Sequence, residues 1–280
     1  MTENTSGIHG QVGEPAGREF FQEDLSGARF EQVVLTGATF QKVRLNDAYL
    51  RDVDLRGIAV HGAVITGRMR GVEFWDLELN GEIRHLTVNG VDVGPLVEAE
   101  LDRQMPDRVL MRPTDPDGFR RGFATIQGLW DGTVERSRTF PAEALHRSVD
   151  GEWSFIQTLR HLNFATVCWV GMVVGDASPW HPLDLPWDEA PGWDGVPWDR
   201  EALPSLDEVL AVRAQRRALI QALLDALTPE ALERTVSALG PGQPEGGPFT
   251  VAQCLRVVLN EEWEHRLYAE RDLTIIEKGE

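Results

Sequence analysis

A bulky apolar residue recurs every five positions from Phe20, through Leu25, Phe30, Leu35, Phe40, Leu45, Leu50, Leu55 and Val60 to Ile65. Two residues before successive members lies a small or branched one: Ala28, Val33, Ala38, Val43, Ala48, Val53, Ile58 and Ala63. A period of five matches neither the 3.6 of a helix nor the 2 of a strand. It predicts a four-sided solenoid in which each pentad is one side and both apolar positions point inward and stack. Gly27, Gly37, Gly57, Gly62 and Gly67 suit the corners, because glycine enters positive φ without a steric penalty. The frame breaks at Arg70, and Phe74, Leu79 and Val88 predict an irregular last coil. After Gly94 the string PLVEAELDRQ predicts a short helix with proline in its first turn, suited to capping an exposed solenoid end.

From residue 115 the period becomes helical. TDPDGFRRGFATIQGLWDGTVERS predicts a helix that starts near Asp115 or Asp117. DGEWSFIQTLRHLNFATVCWVGMVVG predicts a long, mostly buried helix with Asp150 as its N-cap. SLDEVLAVRAQRRALIQALLDAL carries Ser205 and Glu208 at capping-box spacing. TPEALERTV predicts a short helix, and FTVAQCLRVVLNEEWEHRLYAERDLTII a final long one capped by Thr250. Four principal helices, each with one apolar face, predict a four-helix bundle. The expected organisation is a flexible N-terminus over 1–18, a β-solenoid over 19–94, a capping helix and linker over 95–114, and the bundle over 115–277. Within the bundle, residues 176–204 form a long loop with four Trp, six Pro and seven acidic residues. A loop of that length either covers a site or packs its tryptophans into a gap between helices; both readings stand.

Composition narrows the function. The 280 residues contain no run of 18 apolar ones, and the first twenty lack the basic and apolar regions of a secretory signal. Cys168 and Cys254 each lie in an apolar helical run, which predicts reduced core thiols and a cytoplasmic protein. A net charge of −18 argues against binding nucleic-acid phosphate or an anionic membrane. No phosphate-binding glycine loop, nucleophile elbow or C-x-x-C pair is present.

The candidate chemistry lies on the last helix. Cys254, Val258, Glu261, His265, Tyr268 and Asp272 form one stripe whose first members are core-like, so Glu261 and His265 continue an inward face one turn apart. A carboxylate and an imidazole so placed can grip a divalent cation, and His161, in the apolar TLRHLNFATVCW, is the expected third donor. The plainer reading makes His161 a hydrogen-bonded core residue and Glu261–His265 an intrahelical ion pair. His181 is expected to pack in its loop, with a fourth-ligand or base role as the sharper option. Glu262 and Glu264 are expected at the surface or in salt bridges, with Arg266 four residues beyond Glu262. Arg213, Arg216 and Arg217 are expected to form a solvated helix face, and Arg271 and Asp272 to pin the helix end.

Two resemblances organise these readings. GARFE, GATFQ and DAYLRDVDLRG resemble the pentapeptide-repeat family, which implies a short right-handed quadrilateral β-helix. DGEWSFIQTLRHL, followed about a hundred residues later by NEEWEHRLYAERDL, resembles the DinB superfamily of four-helix bundles over roughly residues 115–275. The fold class implied is therefore multidomain, β followed by all-α. In that superfamily a second-helix histidine and an H-x-x-x-H pair bind a divalent metal. By position this implies His161, Glu261 and His265, with Glu261 where a histidine is usual. Such a site suits zinc, nickel, iron or manganese and is more anionic than three histidines, although the substitution also fits lost metal binding. Active members include transferases and isomerases that use low-molecular-weight thiols, and the high arginine usage points to mycothiol. The resemblance thus implies a thiol and an electrophile as small-molecule partners, with the solenoid as scaffold or homodimer surface. Some pentapeptide-repeat proteins imitate DNA and act on a topoisomerase, which makes a non-catalytic interaction protein the alternative. The charge is −7 over residues 1–100 and −11 over the remainder, an even spread that disfavours a DNA mimic. A bundle that keeps only an interaction role is the third reading.

Overall fold

Turns that recur every five residues are the first feature visible in the backbone. A computed structural model describes residues 19–31, 33–40, 43–58, 60, 64–79, 81, 83–188 and 190–279. The expected flexible segment 1–18, and Gly62 and Ala63 of the repeat pattern, lie outside the described residues. The chain separates into two units, Met1–Leu77 and Glu78–Glu280, so the expected solenoid interval 19–94 falls in both.

In the first unit φ is positive at Gln22, Gly27, Gly37, Asp47, Asp52, Gly57 and Gly67, all on one five-residue frame. The next positive φ is at Gly71, one residue early, followed by Asp76. The frame therefore slips where the apolar pattern breaks at Arg70. Ala28, Ala38 and Ala48 donate their N–H to the carbonyls of Leu25, Leu35 and Leu45 at 2.9–3.2 Å, closing turns with positive φ at the third residue, as a type II turn requires. No strand is paired among the described residues of this unit, and the apolar positions expected to stack inward are exposed, Phe30 by 62% and Leu45 by 64%. Turns recur at the five-residue period, and no stacked coil is seen among the described residues. The turns close over four residues, whereas an apolar ladder needs one coil laid on another.

The second unit begins with a two-residue hairpin, β1 (Thr87–Val88) on β2 (Val91–Asp92), turning at Asn89-Gly90 with both φ positive. Helix α1 (Gly94–Gln104) follows with its proline in the first turn, then a 3₁₀ segment Pro106–Met111. Four long helices form the body: α2 (Pro116–Ser137), α3 (Phe155–Val174), α4 (Leu206–Asp225) and α6 (Val251–Lys278). A short α5 (Pro229–Glu233) and the pair β3 (Thr235–Val236)–β4 (Phe249–Thr250) lead into α6. Helix α3 packs on α6 and α4, and α2 on α6 and α4, which closes the four into a ring. None of the described helices is long and apolar enough to cross a membrane.

Caps set where each helix starts. Asp115 accepts from the Gly118 N–H, and Ser205–Glu208 and Thr250–Gln253 close capping boxes. The α3 cap differs from expectation. Asp150 takes φ +52, and the box is made by Ser154 with Gln157. Serine followed three residues later by glutamine satisfies two orphan N–H groups at once, which a lone aspartate four residues upstream cannot do. Seventeen of the twenty α3 side chains are buried, so each polar one on it must find a partner inside the protein.

Candidate metal centre

Helix α6 presents the first two donors. Its capping box fixes the register, Cys254 and Val258 point into the core, and Glu261 and His265 continue that face one turn apart. Glu261 Oε2 lies 3.4 Å from His265 Nδ1. The same Nδ1 is 3.0 Å from the Glu261 main-chain carbonyl. A carbonyl only accepts, so Nδ1 carries the proton and His265 Nε2 keeps its lone pair.

Helix α3 supplies the third. His161 is 7% exposed, and its Nδ1 donates to the Leu185 carbonyl at 3.0 Å. Its Nε2 stands 3.6 Å from Glu261 Oε2. One donor atom from each of His161, Glu261 and His265 lies within 4.8 Å of the others. Ligands about 2.1 Å from a tetrahedral cation sit about 3.4 Å apart, so the set needs only a small side-chain closure to hold one. The donor types fit: two imidazoles, each with its Nδ1 against a main-chain carbonyl, and one carboxylate. Glu261 keeps 30% of its side chain exposed.

Electrostatics favour the deprotonated donors. Burial, then the neighbouring His161, push the His265 imidazole down to about 4, so it is neutral at pH 7. Burial raises the Glu261 carboxyl, but the two imidazoles, in their protonated forms, outweigh it, His161 by a hydrogen bond and both by attraction, and the carboxyl ends below the ordinary carboxylate range. Trp153 covers the imidazoles, its ring 4.3 Å from His161 and 6.0 Å from His265, and its Nε1 donates to Asp188 at 2.9 Å. Tyr268 meets His265 edge-on at 6.1 Å.

The loop 176–204 both packs and bears on the centre. Trp180 stacks on Phe164 at 5.1 Å, and Trp193 and Val196 join Phe164 and Cys168 in a small apolar cluster. Leu185 and Asp188 of the same loop hold His161 and Trp153. His181 stays outside the donor set; its Nδ1 accepts from the Leu183 N–H within the loop.

Several neighbours depart from expectation. Arg213 is buried rather than solvated, donating twice to buried Glu262 and lying 4.8 Å over the Trp130 ring. Arg216 reaches the buried Asp184 at 3.0 Å, and Arg217 pairs with Asp131 across helices. Glu262 thus pairs with Arg213, and Arg266 instead donates to Thr133. One turn of α6 points two adjacent carboxylates to different neighbours, Glu261 toward α3 and Glu262 toward α4. Arg271, steadied by its neighbour Asp272, ties α6 to Glu152, in keeping with a pinning role. Sequence reasoning passed over Arg160, Trp153 and Asp184. The signal available was Arg160 itself, an arginine with no acidic residue within four positions in a buried helix.

The family model described as DinB superfamily matches residues 93–269, and the one described as pentapeptide repeats (8 copies) matches residues 24–57. No curated protein and no solved structure matches the chain.

Proposed function

The chain belongs to the DinB superfamily, and from that premise we propose that it is a divalent-metal-dependent enzyme acting on a low-molecular-weight thiol, as an S-transferase or isomerase of the mycothiol type. The observation that carries this reading is the convergence of His161, Glu261 and His265 within 4.8 Å. These three side chains would hold the cation, and when bound it supplies a Lewis acid that lowers the pKa of a coordinated thiol to the thiolate form. The protein's own part is preparation. Carbonyls of Leu185 and Glu261 hold the two Nδ1–H groups and keep both Nε2 atoms free. Neutral His265 gives up no proton on binding at pH 7. Trp153 keeps water from one side of the rings, and the exposed edge of Glu261 leaves a path for thiol and electrophile.

The carboxylate makes this donor set harder than three histidines, which favours zinc, manganese, iron or nickel over a softer ion. The repeat unit is proposed to serve as a scaffold or homodimer surface, coiled as a quadrilateral β-helix, and the protein to act in the cytoplasm. The test is metal content followed by turnover. Purified chain incubated with Zn²⁺, Mn²⁺, Fe²⁺ or Ni²⁺ and dialysed should retain about one ion per chain. It should then accelerate transfer of a low-molecular-weight thiol to an alkyl halide or epoxide only when loaded. Retention below about 0.2 ion per chain for every metal overturns the reading.

A further inference from the structure

Three consecutive residues of the long loop, Leu183, Asp184 and Leu185, are held from two helices at once. Arg160 of α3 is fully buried, and its guanidinium donates to three main-chain carbonyls: Leu183 at 2.8 Å, Asp199 at 2.5 Å and Ala202 at 3.2 Å. It therefore ties both arms of the loop to the turn of α3 that carries His161. Arg216 of α4 reaches Asp184 Oδ2 at 3.0 Å, and the His181 N–H donates to the same oxygen at 2.8 Å. Leu185 is fixed at both main-chain groups, its N–H on the Arg160 carbonyl at 3.3 Å and its carbonyl on His161 Nδ1. Asp184 is fully buried.

We infer that this clamped strap, Arg160 on one side and Asp184–Arg216 on the other, sets the tautomer of His161 and thereby presets one donor of the metal centre. A neutral imidazole has one N–H, and two acceptors compete for it. Glu261 Oε2 lies 3.6 Å from Nε2, and the Leu185 carbonyl 3.0 Å from Nδ1. A proton on Nε2 would bond Glu261 and close the centre to a cation. A proton on Nδ1 leaves Nε2 open. Only a carbonyl held rigidly at Nδ1 selects the second state, and the strap provides that rigidity. Arg160, Asp184 and Arg216 are positioning residues here, because none of them is among the donor atoms.

The inference rests on the metal reading of the site, and the experiment separates the two. The full chain, metal-free and in mildly alkaline buffer, is studied by ¹⁵N-resolved NMR of its imidazoles, alongside Zn²⁺ titration and thermal melting. The variants are Asp184→Asn, Arg216→Met and the conservative Arg216→Lys. Wild type is expected to show His161 protonated at Nδ1. Asp184→Asn and Arg216→Met should shift protons to Nε2 and weaken Zn²⁺ binding by about 10–100-fold. Arg216→Lys should restore part of both, and His265, held by a carbonyl of its own helix, should keep its tautomer in every variant. Folded variants that keep Nδ1 protonation, with Zn²⁺ affinity within about threefold of wild type, overturn the inference. Failure of both disruptive variants to fold overturns it too, since the strap would then be only a folding element. A wild-type chain that takes no zinc but shows the tautomer shifts overturns the metal reading alone and leaves the positioning role standing.

Discussion

The repeat unit and the helical unit handle their polar and apolar residues in opposite ways. In the first, Arg56 pairs with Asp54 two residues away, and the turns Leu25–Ala28, Leu35–Ala38 and Leu45–Ala48 close within four residues. Nearly every described contact there is local, and the apolar side chains stay exposed. In the second, Arg213 finds Glu262 forty-nine residues on, Trp130 Nε1 donates to the Glu262 carbonyl, and the long helices bury a common core. Residues that tolerate positive φ are enough to bend a chain every five positions. Burying apolar area requires segments far apart in sequence to meet, and burial is the largest favourable term in folding.

Substitutions of like residues in the two units should widen or erase that contrast. The largest effect belongs to the donors. His161→Ala or His265→Ala should reduce bound zinc from about one per chain to below about 0.2. Asp54→Asn in the repeat unit should leave it unchanged. Elemental analysis reads both, and metal retained by the histidine variants would place it elsewhere. Arginine gives the next comparison. Arg213→Ala strands a buried carboxylate and should cost about 3–5 kcal/mol, a fall of roughly 10 °C in melting temperature. Arg56→Ala, on a fully exposed pair, should not move the transition measurably. Equal shifts in the two would dissolve the distinction.

A pH series on metal-free chain comes third. The folded pKa of His265 lies below its ordinary 6.5, at about 4, so between those values the unfolded chain binds the proton and the native one does not. Stability from this residue is complete above pH 6.5 and is lost as pH falls toward 4, by as much as about 3 kcal/mol. His265→Gln should flatten that part of the curve, and an unchanged slope would remove His265 as its cause.

Glycines give the smallest effects. A Cβ at Gly122 would meet the Leu110 carbonyl oxygen at 2.6 Å, so Gly122→Ala must move the segment ahead of α2. Its gain in helix propensity is outweighed, for a net loss of about 1–3 kcal/mol. Gly37 has open space around it and φ +75, so Gly37→Ala meets only the backbone penalty of about 1 kcal/mol. Urea melts distinguish the two, and a larger loss at Gly37 would reveal packing in the repeat unit.

Much of this was readable beforehand, for reasons particular residues make clear. The pentad period announced the corners, and the break at Arg70 announced the slip from Gly67 to Gly71. The inward stripe from Cys254 placed Glu261 and His265 on one face, since residues four apart on a helix must share it. His161, which the structure brings beside that pair, was singled out as a histidine in an apolar run. The partners of these residues were not readable. Sequence placed Arg213 on a solvated face because its own helix has polar neighbours, and only α6 beside it turns that position inward.

The sequence alone, then, determined the period of each region, the helix starts at Ser205 and Thr250, and the chemical types able to bind a cation. The tertiary structure decided what each polar group answers to: Leu185 rather than a helix neighbour for His161, Glu262 for Arg213, Asp184 for Arg216. Periodicity and capping are properties of a few adjacent residues, and the chain carries them wherever it goes. A hydrogen-bond partner from a distant segment exists only once packing has removed water and brought the two segments within about 3 Å, a condition no local pattern encodes.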